Sequence, residues 1–392
     1  MMLFDVAYYD HKHRALLEKA SCHEKLAELV KSGFHLSEEE FFAYSVFTEQ
    51  KDRDEWRTFT ELKHRLPPRR AVLEDYFCVH QGTARSRFEE PDDKDSTKTE
   101  IAGVGAALAL ASHLYGLTEA DWERVPREET KTLDFRIAST GTEFVEVEAK
   151  GSIVKDHRIT SSISSQKADI EKKKDEQRGR HGNRSTLIGV ITAFPSNDSM
   201  RAKCLVLDPP SLELGDPYHH RLLARLSFYR REIGLLSRAH FLSSLATRIR
   251  DMAHIAPVDS FDGLPLLNRR AMPFEVPASL LASRSSALDG EVFGQVFPTG
   301  NAKEFYFYGL NIDIAALVIG QEFRQIASYR CSPERLGRTH VRAKPTKRDL
   351  QDLDIDLTRY ESSQRDSRVS VPMVADLFRS ASGRVFGPAW IE

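Results

Sequence analysis

The chain has 392 residues, with 56 Lys and Arg against 58 Asp and Glu, a net charge of −2. This balance, with 41% hydrophobic and 29% charged residues, is ordinary for a soluble globular protein; it excludes a wholly basic nucleic-acid binder but leaves local basic faces open. No apolar run approaches the roughly 18 residues of a membrane helix, and the first residues lack the basic-then-apolar pattern of a secretory signal. Cys22, Cys78, Cys204 and Cys331 are too widely spaced for a CxxC-type zinc site. The expectation is a cytoplasmic, thiol-state protein of two or three domains, with no membrane partner.

Residues 1–95 read as a helical N-terminal region. Leu16, Leu17, Ala20, Leu26, Leu29 and Val30 follow an amphipathic helical spacing that stops near Gly33. Ser37 and Glu40 form a capping box ahead of Phe41, Phe42, Tyr44, Val46 and Phe47. Trp56, Phe59 and Leu62 continue the spacing to an expected break at Pro67-Pro68, and Val72, Leu73, Tyr76 and Phe77 suggest one more helix. The acidic, proline-containing stretch 81–98 reads as a boundary loop.

Residues 96–210 change character. Residues 100–115 are apolar almost all round and close at Gly116, as in a buried helix. Within it, Gly103 and Gly105 suit close packing rather than a dinucleotide loop, since no strand precedes them. Strands are expected over 132–138 and 143–150, joined by a Ser139-Thr140-Gly141-Thr142 turn. A helix over 165–178 and strands over 186–194 and 203–208 follow. A mixed sheet flanked by helices is the natural packing, so the fold class is α/β.

Beyond Pro209-Pro210, residues 211–392 read as a C-terminal α/β region for specificity, assembly or regulation. Its first part carries Arg221, Arg225, Arg230, Arg231, Arg238, Arg248 and Arg250 against the one acid Glu232, interspersed with leucines and isoleucines at helical spacing. A strand over 304–308, an apolar run over 312–319 and a polar stretch over 344–366 follow.

The segment Phe-Val-Glu-Val-Glu-Ala-Lys (144–150) is the most informative one. Strand alternation puts Glu146, Glu148 and Lys150 on one face and Val145, Val147 and Ala149 on the other. An antiparallel neighbour can bring Asp134 alongside, and two carboxylates and an amine converging there make a bound cation plausible. Hard cations such as Mg²⁺ take carboxylate, phosphate and water oxygens. The alternative is a solvated sheet face with cross-strand ion pairs, and Glu146 is a substitute for Glu148 in the site.

On these residues, 100–194 resembles the PD-(D/E)xK nuclease superfamily. The match is Leu133-Asp134 followed fourteen positions later by Glu148-Ala149-Lys150. Leu133 stands where the family's name-giving proline would be. The resemblance implies a restriction-endonuclease-like core of helix, three strands, helix and strand, the first strand falling over 122–126. It implies Asp134 and Glu148 as ligands of Mg²⁺, with Mn²⁺ as a substitute, and Lys150 as the catalytic lysine. It also implies an accessory acid on the first helix, matched by Glu100, and a polar or basic residue on the second, matched by Gln166 or Lys167. The plainer alternatives are a helix cap for Glu100, through Thr97, and surface positions for Gln166 and Lys167.

Residues 150–184 hold ten Lys and Arg against five acids. Lys172, Lys173, Lys174, Arg178 and Arg180 would form a face for DNA phosphates. The expected function is a Mg²⁺-dependent endodeoxyribonuclease in restriction or antiviral defence, acting as a homo-oligomer or with a defence partner protein. The alternatives are a catalytically inactive nuclease-fold binding module and an RNA-directed phosphodiesterase. The pairs His11/His13 and His219/His220 lack a third ligand and are expected at the surface.

Overall fold

The computed structural model describes residues 1–47, 58–80, 82–87, 96–124, 136–154, 161–178, 185–196, 200–207, 216–237, 239–254, 258–275, 286–288, 291–299, 304–351, 353, 355, 360 and 367–392. The chain is mixed α/β and divides into two units, 1–55 with 65–221 and 56–64 with 222–392. Among the described residues no helix is long and apolar enough to cross a membrane.

The first unit begins with a strand, β1 (Met2–Tyr8), followed by α1 (His11–Leu17), α2 (His23–Ser32), β2 (Phe34–Leu36) and α3 (Glu38–Val46). The N-terminal region is therefore not purely helical. Met2, Phe4 and Val6 are buried at alternate positions, and β1 pairs in parallel with a strand from residues 203–207. This pairing draws residues 1–55 into the same unit as 65–221. Ser37 does cap α3, its hydroxyl accepting from the Glu40 N–H at 3.0 Å.

The expected break at Pro67-Pro68 is absent, because α4 (Phe59–Tyr76) continues through both prolines. Leu62, Leu66 and Leu73 are buried along it, and that burial outweighs the loss of two intrahelical N–H donors. A two-stranded ribbon, β3 (Phe77–His80) and β4 (Thr83–Ser86), follows.

Next come α5 (Ser96–Tyr115), β5 (Glu123–Arg124), β6 (Arg136–Ser139), β7 (Phe144–Val154), α6 (Ser161–Arg178), β8 (Ser185–Pro195) and β9 (Lys203–Leu207). Together with β1 and β2 the strands form one mixed sheet in the order β2-β1-β9-β8-β7-β6-β5. β5, β6 and β7 are antiparallel neighbours. β8 then joins β7 in parallel after the α6 crossover, and β9 returns antiparallel. The β6–β7 turn closes as its sequence implies, with Gly141 at φ +95° and the Glu143 N–H on the Thr140 hydroxyl at 3.1 Å.

The all-round apolar character of α5 is explained by its two glycines. They lie two residues apart, about 200° around the helix, and so meet different neighbours. A Cβ on Gly103 would lie 2.5 Å from the Gly151 backbone of β7, and one on Gly105 would lie 1.9 Å from the Ser45 hydroxyl of α3.

The second unit opens with the arginine-rich α7 (Pro217–Leu236), whose first residues belong to the first unit, and α8 (Phe241–His254). Six strands follow, β10 (Ser286–Leu288), β11 (Val292–Pro298), β12 (Glu304–Asn311), β13 (Glu334–Ala343), β14 (Val371–Arg379) and β15 (Arg384–Ile391). They close into an antiparallel barrel in the order β10-β11-β12-β15-β14-β13. Helices α9 (Ile312–Gly320), α10 (Phe323–Ser328) and α11 (Lys347–Gln351) are inserted between strands. The apolar run over 312–319 is α9, and the barrel core packs Val296, Phe305, Phe307, Met373, Leu377 and Val385 together.

The arginines of 221–250 serve the fold. Arg221 pairs with the fully buried Asp121 at 3.1 Å and donates to the Thr140 carbonyl. Buried Arg225 donates to the carbonyls of Ile326 at 2.6 Å and Tyr329 at 2.9 Å, which caps the end of α10. Arg248 stacks over Phe261 and donates to the Leu264 carbonyl at 3.2 Å. Only Arg230 and Arg250 stand exposed among the described arginines of the segment. Its positive charge is thus largely spent on carbonyls and carboxylates of the protein itself.

Candidate active site

β7 carries three of the residues singled out in the sequence. Glu146 is 3% exposed and Glu148 0%, so this row is not a solvated sheet face. The Lys150 ammonium lies 3.2 Å from a Glu148 carboxylate oxygen, with 16% of its side chain exposed. The opposite face of β7 is buried as well, through Val145, Val147 and Ala149. A carboxylate with no exposure, on a strand covered on both faces, persists only with strong local compensation.

The register explains how Glu148 fits. In the parallel neighbour β8 it stands opposite Gly189, and Lys150 opposite Ile191. A Cβ on Gly189 would lie 3.2 Å from Ile170 of α6, so the row of Glu146, Glu148 and Lys150 shares the sheet face over which α6 passes. Gly189 leaves room beside the carboxylate that any larger side chain would take. The signal for it was present in the sequence as a lone glycine inside the Leu-Ile-Gly-Val-Ile run.

Ile163 and Ile170 of α6 pack into the core above β8 and β9. Gln166 lies on the same helical stripe, and its amide donates to the Gly151 carbonyl at 2.9 Å. Gln166 is therefore a sheet-facing residue, pinned to the residue after Lys150. Lys167 turns elsewhere: its ammonium pairs with Glu171 at 2.8 Å and lies over the Tyr9 ring. The hydrogen bond to Glu171 holds the Lys167 pKa above its ordinary value against the opposing effect of burial. His13, expected at the surface, is buried and reaches the same Glu171 at 3.3 Å. His220 is half-buried, with its ring against Phe144.

Glu100 stands in the first turns of α5, next to Thr99, whose carbonyl packs against Gly151. The helix starts at Ser96, ahead of Thr97, so Thr97 is not its cap residue. The elements thus bring Glu148, Lys150 and Gln166 to one stretch of β7, whereas α5, which carries Glu100, packs on the other face of the strand, where Thr99 and Gly103 meet Gly151. Asp134 and Arg180 lie outside the described residues. Lys172, Lys173, Lys174 and Arg178 fall in the last turns of α6.

The Gly151 contact is tight enough to test. A Cβ there would sit 2.0 Å from the Thr99 carbonyl oxygen, and backbone cannot rotate away as a side chain can. Gly151→Ala is expected to lower the unfolding free energy by about 1–3 kcal/mol, measured by urea denaturation.

Glu148 offers an oxygen donor of the kind a hard divalent cation takes, with Glu146 two residues away on the same face. Among the described residues no group of three His, Cys, Asp or Glu side chains is placed to hold a metal ion. A cation at Glu148 would need further ligands from outside these residues, Asp134 being the one the sequence points to. No protein-family model, curated protein or solved structure matches the chain.

Proposed function

We propose that the first unit is a metal-dependent phosphodiesterase acting on DNA, with Glu148 and Lys150 at its reacting centre. The observation that carries this reading is the burial of Glu148 beside the Lys150 ammonium at 3.2 Å. A charged pair buried there costs desolvation free energy, and groups carried at such a cost cluster at functional sites. The order of elements adds support: α5, three antiparallel strands β5–β7, α6, then β8 parallel to β7. This is the order that the resemblance to PD-(D/E)xK nucleases implies.

In this reading Glu148 and Asp134 would hold Mg²⁺, which when bound lowers the pKa of a coordinated water and offsets charge on the phosphodiester. The Lys150 ammonium supplies fixed positive charge where negative charge develops on the phosphate oxygens, and it orients the attacking water. Gln166 fixes the backbone after Lys150 by donating to the Gly151 carbonyl. Gly103 and Gly151 let α5 pack closely on the other face of the same strand, which fixes β7 from behind.

The test is incubation of the purified protein with supercoiled plasmid and single-stranded DNA, in Mg²⁺ and in EDTA, with RNA of matched sequence as competitor. Nicking or linearisation in Mg²⁺ alone, resistant to RNA, is the expected result. Preferential RNA cleavage would move the substrate to RNA. Absence of both cleavage and Mg²⁺ binding would remove the catalytic reading.

A further inference from the structure

The second unit carries a feature that the nuclease reading does not use. Leu264, Leu267 and Met272 are 53%, 44% and 60% exposed. The other exposed large apolar side chains among the described residues are Met1, Leu16, Val79 and Trp390. Three of these seven side chains thus fall within residues 264–272, and exposed apolar side chains gathered in one short segment direct attention to it as an interaction surface.

The cluster lies on a short hairpin with a fixed tip. Leu267 bridges Pro273 across it. The Asn268 N–H donates to the Met272 carbonyl at 2.9 Å, and the Asn268 side-chain oxygen accepts from the N–H groups of Arg270 at 2.8 Å and Met272 at 3.2 Å. The three-residue loop Arg269-Arg270-Ala271 is closed by Ala271 at φ +57°, a left-handed conformation that a residue other than glycine adopts only when its surroundings impose it. The base is anchored in the unit: Leu266 is 1% exposed, its N–H donates to the Ile319 carbonyl at 2.9 Å, and Phe274 packs edge-on against Phe241. Arg269 and Arg270 are exposed at the tip, and neither makes an ion pair among the described residues.

We infer that this hairpin is a DNA-engaging wedge, with Arg269 and Arg270 reaching phosphates or a narrow minor groove and Leu267 and Met272, which strand alternation puts on its two opposite faces, presenting apolar surface to the bases on either side. The inference rests on the DNA reading of the first unit for the identity of the polymer. Two guanidiniums with no ion pair among the described residues, on the same hairpin as exposed apolar side chains, match a surface that is anionic outside and apolar within. Duplex DNA has that character, and apolar wedges beside minor-groove arginines are a general means of bending it. A purely apolar partner would leave both guanidiniums desolvated without a counter-charge. The rigid tip lowers the ordering cost of binding.

The experiment uses the full chain in EDTA, which prevents metal-dependent cleavage, with a 30-base-pair duplex labelled at both ends. Arg269→Ala/Arg270→Ala is expected to weaken binding at least tenfold and to make the plot of log affinity against log salt shallower by about 2. Leu267→Ala/Met272→Ala is expected to leave that slope unchanged while reducing the bend read by end-to-end energy transfer. All four side chains are exposed, so thermal melting should match the parent and exclude unfolding as the cause. Unchanged affinity, slope and bend in the variants, with the parent binding and cleaving DNA, would overturn the wedge and leave the nuclease reading intact. A parent that neither binds nor cleaves DNA would overturn both. A parent that dimerises in sedimentation, with dimerisation lost in Leu267→Ala/Met272→Ala and DNA affinity unaltered, would reassign the hairpin to self-association and overturn the inference.

Discussion

Lys150→Met is expected to reduce Mg²⁺-dependent DNA cleavage by about 10³-fold, the scale of loss when one preorganised charge is removed from a reacting centre. Methionine keeps most of the apolar stem of a side chain that is only 16% exposed, so packing is largely preserved, while the buried Glu148 carboxylate loses its counter-charge and the melting temperature is expected to fall. The charge 3.2 Å from Glu148 is what disappears. Glu148→Gln gives a different signature. It exchanges a carboxylate for a neutral amide of similar shape, so cleavage is expected to vanish without a large fall in melting temperature. The two variants separate on metal binding. Saturating Mg²⁺, at about 100-fold its Kd, stabilises a folded protein by about 2.7 kcal/mol, and this thermal shift should persist in Lys150→Met and disappear in Glu148→Gln. Wild-type cleavage rates in Lys150→Met would exclude the lysine from the chemistry. A loss of cleavage matched only by a loss of folding would assign Lys150 a structural role.

The largest effect on stability is expected in the second unit, at Glu232. Its carboxylate and the Arg384 guanidinium are each 2% exposed and meet at 3.0 Å. The Tyr308 hydroxyl donates to the same carboxylate at 2.5 Å, and Arg231 lies 3.7 Å away. Burial pushes the Glu232 pKa up, but the charges of Arg384 and Arg231 and the hydrogen bonds from Arg384 and Tyr308 overcome it and hold the group below its ordinary value. The Tyr308 hydroxyl is pushed well above its ordinary range, first by burial. Glu232→Ala would strand Arg384 in the interior, at a cost of about 3–5 kcal/mol. Replacing both partners by apolar residues, Glu232→Leu with Arg384→Met, is expected to cost less than Glu232→Ala alone.

The same shift fixes the pH dependence. A carboxyl whose folded pKa is depressed contributes stability at pH values above its unfolded pKa, about 4.5, and this is lost as the pH falls through the folded value. Asp349 adds to the effect: burial opposes its ionisation, but Lys63 at 2.5 Å and Thr346 at 2.6 Å outweigh it and hold its pKa low. Denaturation of the parent should therefore steepen below about pH 4.5. Glu232→Leu/Arg384→Met should flatten that limb of the curve, and an unchanged acid limb would mean that other carboxylates carry it.

The sequence was most readable where one element supplied its own signal. The alternation in 144–150, the apolar run of α5 and the lone turn at 139–142 each marked their element. Burial of Glu146 and Glu148 was not readable, because it is produced by β8 arriving in parallel and by α6 crossing above, at residues 161–195. The amphipathic helical spacing downstream masked β1, although Met2, Phe4 and Val6 carry a period of two. Its partner lies nearly two hundred residues away. β13 shows the opposite difficulty: one face points outward through Arg338, His340 and Arg342, so its sequence looks like polar loop. The arginines of 221–250 read as a net basic segment because local charge counts cannot see acceptors such as Asp121 or the Ile326 carbonyl.

The way the strands end also bears on the fate of the protein at high concentration. A sheet recruits foreign chains through an unpaired margin, and the longer and flatter the margin, the better the template. Among the described residues the seven-stranded sheet is bounded by β2, three residues long, and by β5, only two. The six-stranded sheet closes through the three-residue β10, which meets β13 only at Ala287 and Arg342, so among the described residues β13 over 334–341 pairs with β14 alone. Exposed Arg338 and His340 lie along that margin, and charge of this kind discourages pairing with a foreign strand.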